Sequence, residues 1–484
     1  MPRPLQAKKI ACRGWGACYH LRAMHLLAAA LVLACSWWAQ ASKPAELRNV
    51  RIRQRSGPMW PWSDLQRRGL DVLELAHADN AAWMYIRAIN ACRVPSDDLW
   101  DAWTYAIGEA WPAEPAAGRL TEFLRANDEP IEMTRLASRM AHCQLPYLGR
   151  PDEPLAALNF AVLPGMRYLM QMLAANARCL DAQGRHVEAM EDLLASVRVA
   201  CHLGHGIGMW EHEVANVALL RAMGQIRRLA LGGQVPEQAL VGAIQVFGAL
   251  ESQVPSLSRM IAADRAIALD TFALMFDRPE LTGLSWTQDG AGGWHAMNQR
   301  LVRLALPDQT MRRQLENMYA HLVHKATMPP PKAAWASRYR HKLLVANVPM
   351  WNRLARRHVQ AVADAAVLYD RVRGDWQMTR VILALQLYRQ RRSEWPEQLE
   401  AIKGELGGEV PTDAYSGKAH YYRVEKGGWV LYSVGENYVD DGGKLGEGGV
   451  NYSVDLVRVF PLPEVEPFAG RMPQTQPAAG EPTN

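Results

Sequence analysis

The spacing of the hydrophobic residues changes once along this chain of 484 residues, and the change separates two kinds of structure. Over residues 63–392 apolar side chains recur every three to four residues, as on one face of an amphipathic helix. Past residue 415 they alternate with polar residues, which is typical of half-buried strands. We therefore predict a mainly α protein with a small α+β domain near its C-terminal end.

The clearest helical element is a pair of helices between Met166 and Leu203. Gly184 separates two segments with apolar residues at helical spacing, and alanines occur where the two helices would cross closely. The pair resembles one tetratricopeptide-type hairpin, but no 34-residue repeat continues it. We therefore predict an irregular antiparallel helical array. Further helices are predicted over residues 211–231, 236–252, 255–276, 297–325 and 339–392.

The alternating segments past residue 415 predict a three-stranded antiparallel sheet. They cover residues 419–424, 429–434 and 453–460, and a glycine-containing loop of hairpin type joins the first two. The last residues are rich in Pro, Gln, Thr and Ala, a composition typical of disorder. The predicted divisions are a leader at 1–41, a linker at 42–62, a helical domain at 63–385, an α+β module at 386–462 and a disordered tail at 463–484.

The N-terminal segment has the three-part layout of an export signal. Basic residues precede the apolar run Met24–Ala34, and the small-x-small pattern Ala39–Ala41 would allow cleavage before Ser42. An uncleaved inner-membrane anchor is an alternative, because residues 23–41 are just long enough to span a bilayer. Lipidation at Cys35 and a buried core helix are two further alternatives. We predict a cell-envelope protein, periplasmic or anchored to the inner membrane, with its body outside the cytoplasm.

Cysteines and charge limit the classes of function. Four cysteines follow the predicted cleavage point, and an exported protein could pair them, but their spacing fixes no pairing. They are Cys92, Cys143, Cys179 and Cys201. The net charge is only +5 and the basic residues form no stripe interleaved with aromatics, so we predict no nucleic-acid partner.

The region 384–460 contains the segments Ala384–Tyr388, Trp395–Leu399, Val410–Asp413, Ser416–Lys418, Tyr422–Arg423, Leu431–Gly435 and Asp440–Gly443. Through these segments it resembles a module of exported helical proteins of planctomycete-type bacteria, a group with no assigned activity. It is also similar to the globular head of the major pseudopilins of type II secretion. The pseudopilin resemblance implies a calcium-binding loop after the strand Leu431–Gly435. The chain departs from that family because roughly 350 residues separate its apolar N-terminal segment from the module.

The loop after that strand carries candidate calcium ligands. Asn437, Asp440, Asp441 and Asp455 offer the hard oxygen atoms that calcium prefers. Neighbouring glycines would let the loop wrap around an ion. The alternative is a solvated turn, since Asp and Gly suit turns without any metal.

A second cluster lies at the end of the helix pair. His202, His205, Glu211 and His212 are close in sequence and could ligate a metal, or they could simply cap helix ends. The run from His212 resembles a zincin motif but has Asn216 where the second histidine belongs. The glycine-rich run before Glu211 follows a helix rather than a strand, so it predicts no phosphate site.

No catalytic constellation emerges, so we predict a non-enzymatic scaffold that binds a protein or peptide of the envelope. The tetratricopeptide-like hairpin motivates this prediction, since such hairpins build interaction surfaces. One alternative is an accessory component of a type II secretion-like system with a calcium-binding module. Another is a metal-dependent hydrolase that uses the histidine cluster.

Overall fold

The computed structural model describes most of the chain from Met59 to Pro461. The described residues are 59–108, 111–149, 155, 158, 160–254, 256–277, 308–328, 353–425, 427–435, 438–443 and 456–461. The predicted leader and tail lie outside this part of the chain. Within it, no helix combines the length and the hydropathy that a bilayer crossing requires.

Helices make up most of the described structure, as predicted. Short 3₁₀ turns supplement them at His77–Asp79, Asp97–Leu99, Glu251–Gln253 and Leu399–Ile402. The helices are α1 Trp62–Arg67, α2 Ala81–Ala91, α3 Trp100–Gly108, α4 Ala116–Arg125, α5 Asp128–Ser138, α6 Leu163–Ala182, α7 His186–Gly204, α8 Met209–Leu231, α9 Glu237–Leu250, α10 Leu257–Asp277, α11 Asp308–Ala326, α12 Arg353–Arg392 and α13 Lys403–Leu406.

The predicted hairpin is helices α6 and α7. Gly184 lies between them with φ +76°, a left-handed conformation that glycine adopts without strain and that lets the chain reverse. Asn176 on α6 donates to Asp192 on α7 at 2.7 Å and fixes their register. The helices contain 20 and 19 residues, longer than a 34-residue repeat allows. The array is therefore irregular, as the sequence predicts.

Helix α7 occupies the centre of the array. It packs between α6 and α8, and it also contacts α5 and α9. Helix α8 in turn packs against the long helix α12. This central position explains why α7 is apolar around most of its surface and buries most of its residues.

The C-terminal sheet has the predicted antiparallel topology. Strands β1 Tyr421–Glu425, β2 Gly428–Ser433 and β3 Leu456–Phe460 lie in the order β1-β2-β3. In the central strand, Val430 pairs with a residue on each neighbouring strand. Strand β2 is fully buried whereas β1 is mostly exposed, so the sheet contacts the rest of the protein through its middle.

The main hydrophobic core is continuous from the helical array into the sheet. It extends from Trp60 through helices α6, α7 and α8 to Trp429 and Leu431 on β2. At the end of α12, the Arg389 guanidinium stacks over the Trp395 ring at 4.7 Å. A second cluster lies between α10, α11 and the first half of α12.

A buried ion cluster also joins the sheet to the helices. Asp375 on α12 accepts from Arg227 on α8 at 3.3 Å and from Arg458 on β3. Burial by itself would raise the pKa of Asp375, but the arginines, including Arg371, hold that pKa below its usual value. Asp375 is therefore ionised at neutral pH and holds three elements together.

Candidate functional site

The end of the α6–α7 hairpin brings together polar side chains in the interior. Helix α7 ends at Gly204 and α8 begins at Met209, so the four residues 205–208 form a short connection, here called the hairpin-end loop. Three side chains from neighbouring segments bond to the backbone of this loop. They are Glu211, His212 and Tyr147.

Glu211 is the centre of this arrangement and is completely buried. Its Oε2 accepts the Gly208 backbone N–H at 2.8 Å, which caps the first turn of α8. The Tyr147 hydroxyl donates to Oε1 at 3.0 Å and accepts the Ile207 N–H at 3.2 Å. Among the described residues, no Lys, Arg or His nitrogen forms an ion pair with Glu211.

His212 holds the next carbonyl of the loop. Its Nε2 lies 3.2 Å from the Gly206 carbonyl oxygen, so Nε2 must carry the ring proton and donate. Burial lowers the pKa of His212 to about 4. The ring is therefore neutral at physiological pH and acts as a hydrogen-bond donor.

Gly206 is required by the close approach of the loop to Glu211. A Cβ atom on Gly206 would lie 2.3 Å from the Glu211 carboxyl carbon. No real Cβ makes such a contact, and a buried carboxyl group has little room to move. The glycines in this segment therefore create space for a side chain of the protein itself.

Burial raises the pKa of Glu211 to about 7, although its bonds to Gly208, Tyr147 and Ile207 partly oppose that shift. A carboxyl group without a cation pays a large desolvation cost when it ionises. Glu211 therefore titrates close to neutral pH inside the protein.

His202, on α7, lies in the same region and is also neutral. Its Nε2 donates to the Met140 carbonyl at 3.0 Å, so its Nδ1 accepts from the Tyr85 hydroxyl at 2.9 Å. Burial lowers the pKa of His202 to about 4. Both ring nitrogens are used in these bonds, so the ring is a structural element here.

His205 connects the hairpin-end loop to helix α10. Arg259 on α10 donates to His205 Nδ1 at 3.2 Å and also pairs with Asp71 at 3.4 Å. Burial and the nearby Arg259 lower the pKa of His205. The four residues of the predicted histidine cluster thus share one region but bond to different partners.

The side chains of the histidine cluster do not converge on one point. In the part of the chain that is described, no three His, Cys, Asp or Glu side chains lie together as a ligand set. The side chains of Glu211 and His212 turn towards loop backbone, and His202 turns towards α2 and the segment after α5.

The structure describes two of the four predicted calcium ligands. Asp440 is exposed, and its Oδ1 accepts the Gly442 N–H at 2.9 Å, as a turn-forming aspartate does. Asp441 lies beside it and is partly exposed. Asn437 and Asp455 lie outside the described residues.

Cys92, Cys143, Cys179 and Cys201, the four cysteines after the predicted leader, are free thiols in the structure, and three of them are buried. Burial raises the pKa of Cys92 and Cys201 to about 12. Such thiols carry little thiolate and react slowly.

Sequence reasoning missed Tyr147 and the polar residues that position it. Gln144 Nε2 lies 3.5 Å from the Tyr147 hydroxyl. The Asn80 side chain donates to the Gln144 carbonyl oxygen and accepts the Gln144 N–H, both at 2.9 Å. Gln144 and Tyr147 lie in a segment without secondary structure, where hydrophobic spacing carries no signal, whereas Asn80 is the N-cap of α2. Tyr147 follows Pro146 and precedes Gly149 by two positions, and this context contains no motif that would have identified it.

No protein family, no curated protein and no solved structure matches the chain.

Replacing Gly206 by alanine tests how tightly the loop is packed. We expect Gly206→Ala to lower the free energy of unfolding by about 2 kcal/mol, because the new methyl group displaces Glu211 from its bonds. Chemical denaturation measures the change. Gly242→Ala is the matched control, since a Cβ there meets no atom within 4 Å and Ala favours the helix by about 0.5–1 kcal/mol. Equal effects of the two variants would contradict the close packing.

Proposed function

We propose that this chain is a non-enzymatic scaffold that binds a protein or peptide partner in the cell envelope. The observation that carries this proposal is the architecture, in which long antiparallel helices stack irregularly around α7. Stacked helices of this kind form extended surfaces suited to binding other chains. The leader-like N-terminal segment motivates the envelope location.

The polar residues at the hairpin end also favour a scaffold over an enzyme. Glu211, His202 and His212 are almost completely buried, and each makes hydrogen bonds inside the protein. A catalytic acid or base must instead reach the proton that it transfers in a bound substrate. For the same reason we do not propose the metal-dependent hydrolase.

Trp210 offers a place at which to look for a partner. Its side chain is 53% exposed at the start of α8, next to the hairpin-end loop. Tryptophan is enriched among residues that dominate binding energies, although single exposed apolar residues are also common. The surface around Trp210 is therefore our first candidate for contact with a partner.

In-cell photo-crosslinking tests this function. A photoreactive residue at position 210 should give a discrete adduct with the same envelope protein in independent cultures. The matched control is position 409, whose glutamate side chain is 85% exposed on the C-terminal module. Absence of adducts at 210, or identical adducts at both positions, would count against the scaffold.

The pseudopilin resemblance and the calcium site remain proposals from sequence. Asp440 and Asp441 lie at a turn after β2, where the resemblance expects an ion. If calcium binds, chelation should lower the melting temperature of the full-length chain, and the Asp440→Ala, Asp441→Ala double variant should lose that response. An unchanged melting temperature on chelation would remove the site and, with it, the main support for a secretion-system role.

A further inference from the structure

We propose that the hairpin-end loop is a proton-dependent element: it stays closed while Glu211 carries a proton and opens when Glu211 is ionised. The starting observation is geometric. Glu211 is fully buried, has no cationic partner among the described residues, and lies under the only four residues that connect α7 to α8. Buried carboxylates are normally paired or bound to metal, so an unpaired one is an exception that needs an explanation.

Closure of the loop depends on a small set of bonds that meet at Glu211. Gly208 N–H binds the carboxyl group directly, and Ile207 N–H binds the Tyr147 hydroxyl that donates to the same group. Ionisation places a charge where no cation among the described residues compensates it. Exposure of Glu211 to water removes that cost, and it requires the 205–208 backbone to move away.

Other titratable groups face Glu211, and their effects must be separated from its own. Burial lowers the pKa of the histidines, so acidification below about 6.5 also favours opening of the loop. The buried thiol near Glu211 stays protonated over the relevant range of pH. The facing groups are Cys143 and Tyr147, from the segment after α5, and His212 on α8. Beyond His212 lie His205 and the ion pair of Arg259 with Asp71.

Opening would have a consequence beyond the loop. His205 would lose its bond to Arg259, which is one of the links between the hairpin end and α10. Helix α10 belongs to the second hydrophobic cluster. The exposed Trp210 would also change its surroundings, since it follows the loop directly. Protonation of Glu211 thus controls the surface at this end of the array.

Hydrogen exchange of the full-length chain, measured by mass spectrometry from pH 5 to 8, tests the proposal. The readout is the opening constant of peptides that cover residues 205–212, corrected for the intrinsic pH dependence of exchange, in the wild type and in Glu211→Gln. The histidine contributions are common to both proteins and cancel in the ratio. Because the closed and open forms differ in proton affinity, the wild-type to variant ratio should rise roughly 40-fold from pH 5 to 7 and then level off.

A ratio that does not change with pH would overturn the proposal. Peptides of α2 serve as an internal control and should show no such rise. If Glu211→Gln fails to fold, Tyr147→Phe provides the second test. Loss of the donating hydroxyl keeps the proton on Glu211 to higher pH, so opening of the loop should continue to increase above pH 7 in that variant. An opening profile unchanged above pH 7 in Tyr147→Phe would also overturn the proposal.

Discussion

Asp375→Asn should destabilise the protein by about 3 kcal/mol, one of the largest effects expected from a single polar substitution in this chain. The change leaves Arg227 and Arg458 without the carboxylate that they share in the interior. Removing one partner of a buried ion pair typically costs 3–5 kcal/mol, because the remaining charge is desolvated without compensation. We choose the lower end because the Arg458 side chain is 25% exposed.

Urea denaturation followed by circular dichroism measures this loss. The matched control is Glu237→Gln, which removes a carboxylate from the exposed pair with Arg391. Exposed pairs contribute about 0–1 kcal/mol, since water screens both charges. If Asp375→Asn proves no more destabilising than Glu237→Gln, the ion cluster does not hold the sheet to the helices.

The second large effect is a loss of stability on acidification that Glu211 partly masks. His202 and His212 have pKa values near 4 when folded, below the ordinary value of about 6.5. The unfolded chain therefore binds more protons between these limits, and stability falls as pH drops through that window. Glu211 affects stability in the opposite direction, because its pKa of about 7 in the folded protein is raised above the ordinary value. Its contribution to the free energy of unfolding is therefore present at low pH and is lost as pH rises from 4.5 to 7.

The two signs give a specific expectation for single variants. From pH 6.5 to 4.5, His202 and His212 each lower the free energy of unfolding by about 2 kcal/mol, whereas Glu211 raises it by about 2 kcal/mol. The wild type should therefore lose about 2 kcal/mol of stability over this range. Glu211→Gln should lose about 4 kcal/mol over the same range. In His212→Gln the opposite contributions of His202 and Glu211 should cancel, so the free energy of unfolding should stay nearly constant over this range. Denaturation midpoints at several pH values test this, and equal slopes in all three proteins would contradict it.

Sequence reasoning predicted the fold where a local pattern dominates. The α6–α7 hairpin follows from apolar spacing and Gly184, and the sheet follows from short strand-like segments bounded by turns. The central strand Gly428–Ser433 is fully buried, however, and not half-buried as alternation predicts. Each of these elements is formed by residues that are close together in the chain, so a pattern over a short stretch of sequence is enough to predict it. This is why both were predicted with bounds close to those observed.

The candidate site depends on contacts between distant segments, which the sequence does not encode locally. Glu211 and His212 were noticed as part of a histidine cluster, but the metal interpretation was prompted by their proximity in sequence. The structure instead pairs Glu211 with Tyr147, a residue 64 positions earlier. In the candidate site, the role of a side chain depends on its burial and on partners that tertiary packing brings close. Neither can be recognised from the spacing of residues in the sequence.

The hydrophobic core shared by helices and sheet is tested most directly by native-state hydrogen exchange under increasing urea. Buried Leu431 on β2 and Val197 on α7 both belong to the main core. Their peptides should therefore lose protection with the same free energy, in one cooperative unfolding event. If β2 loses protection at clearly lower urea than α7, the C-terminal module is a separate unit and a main core shared by helices and sheet is contradicted.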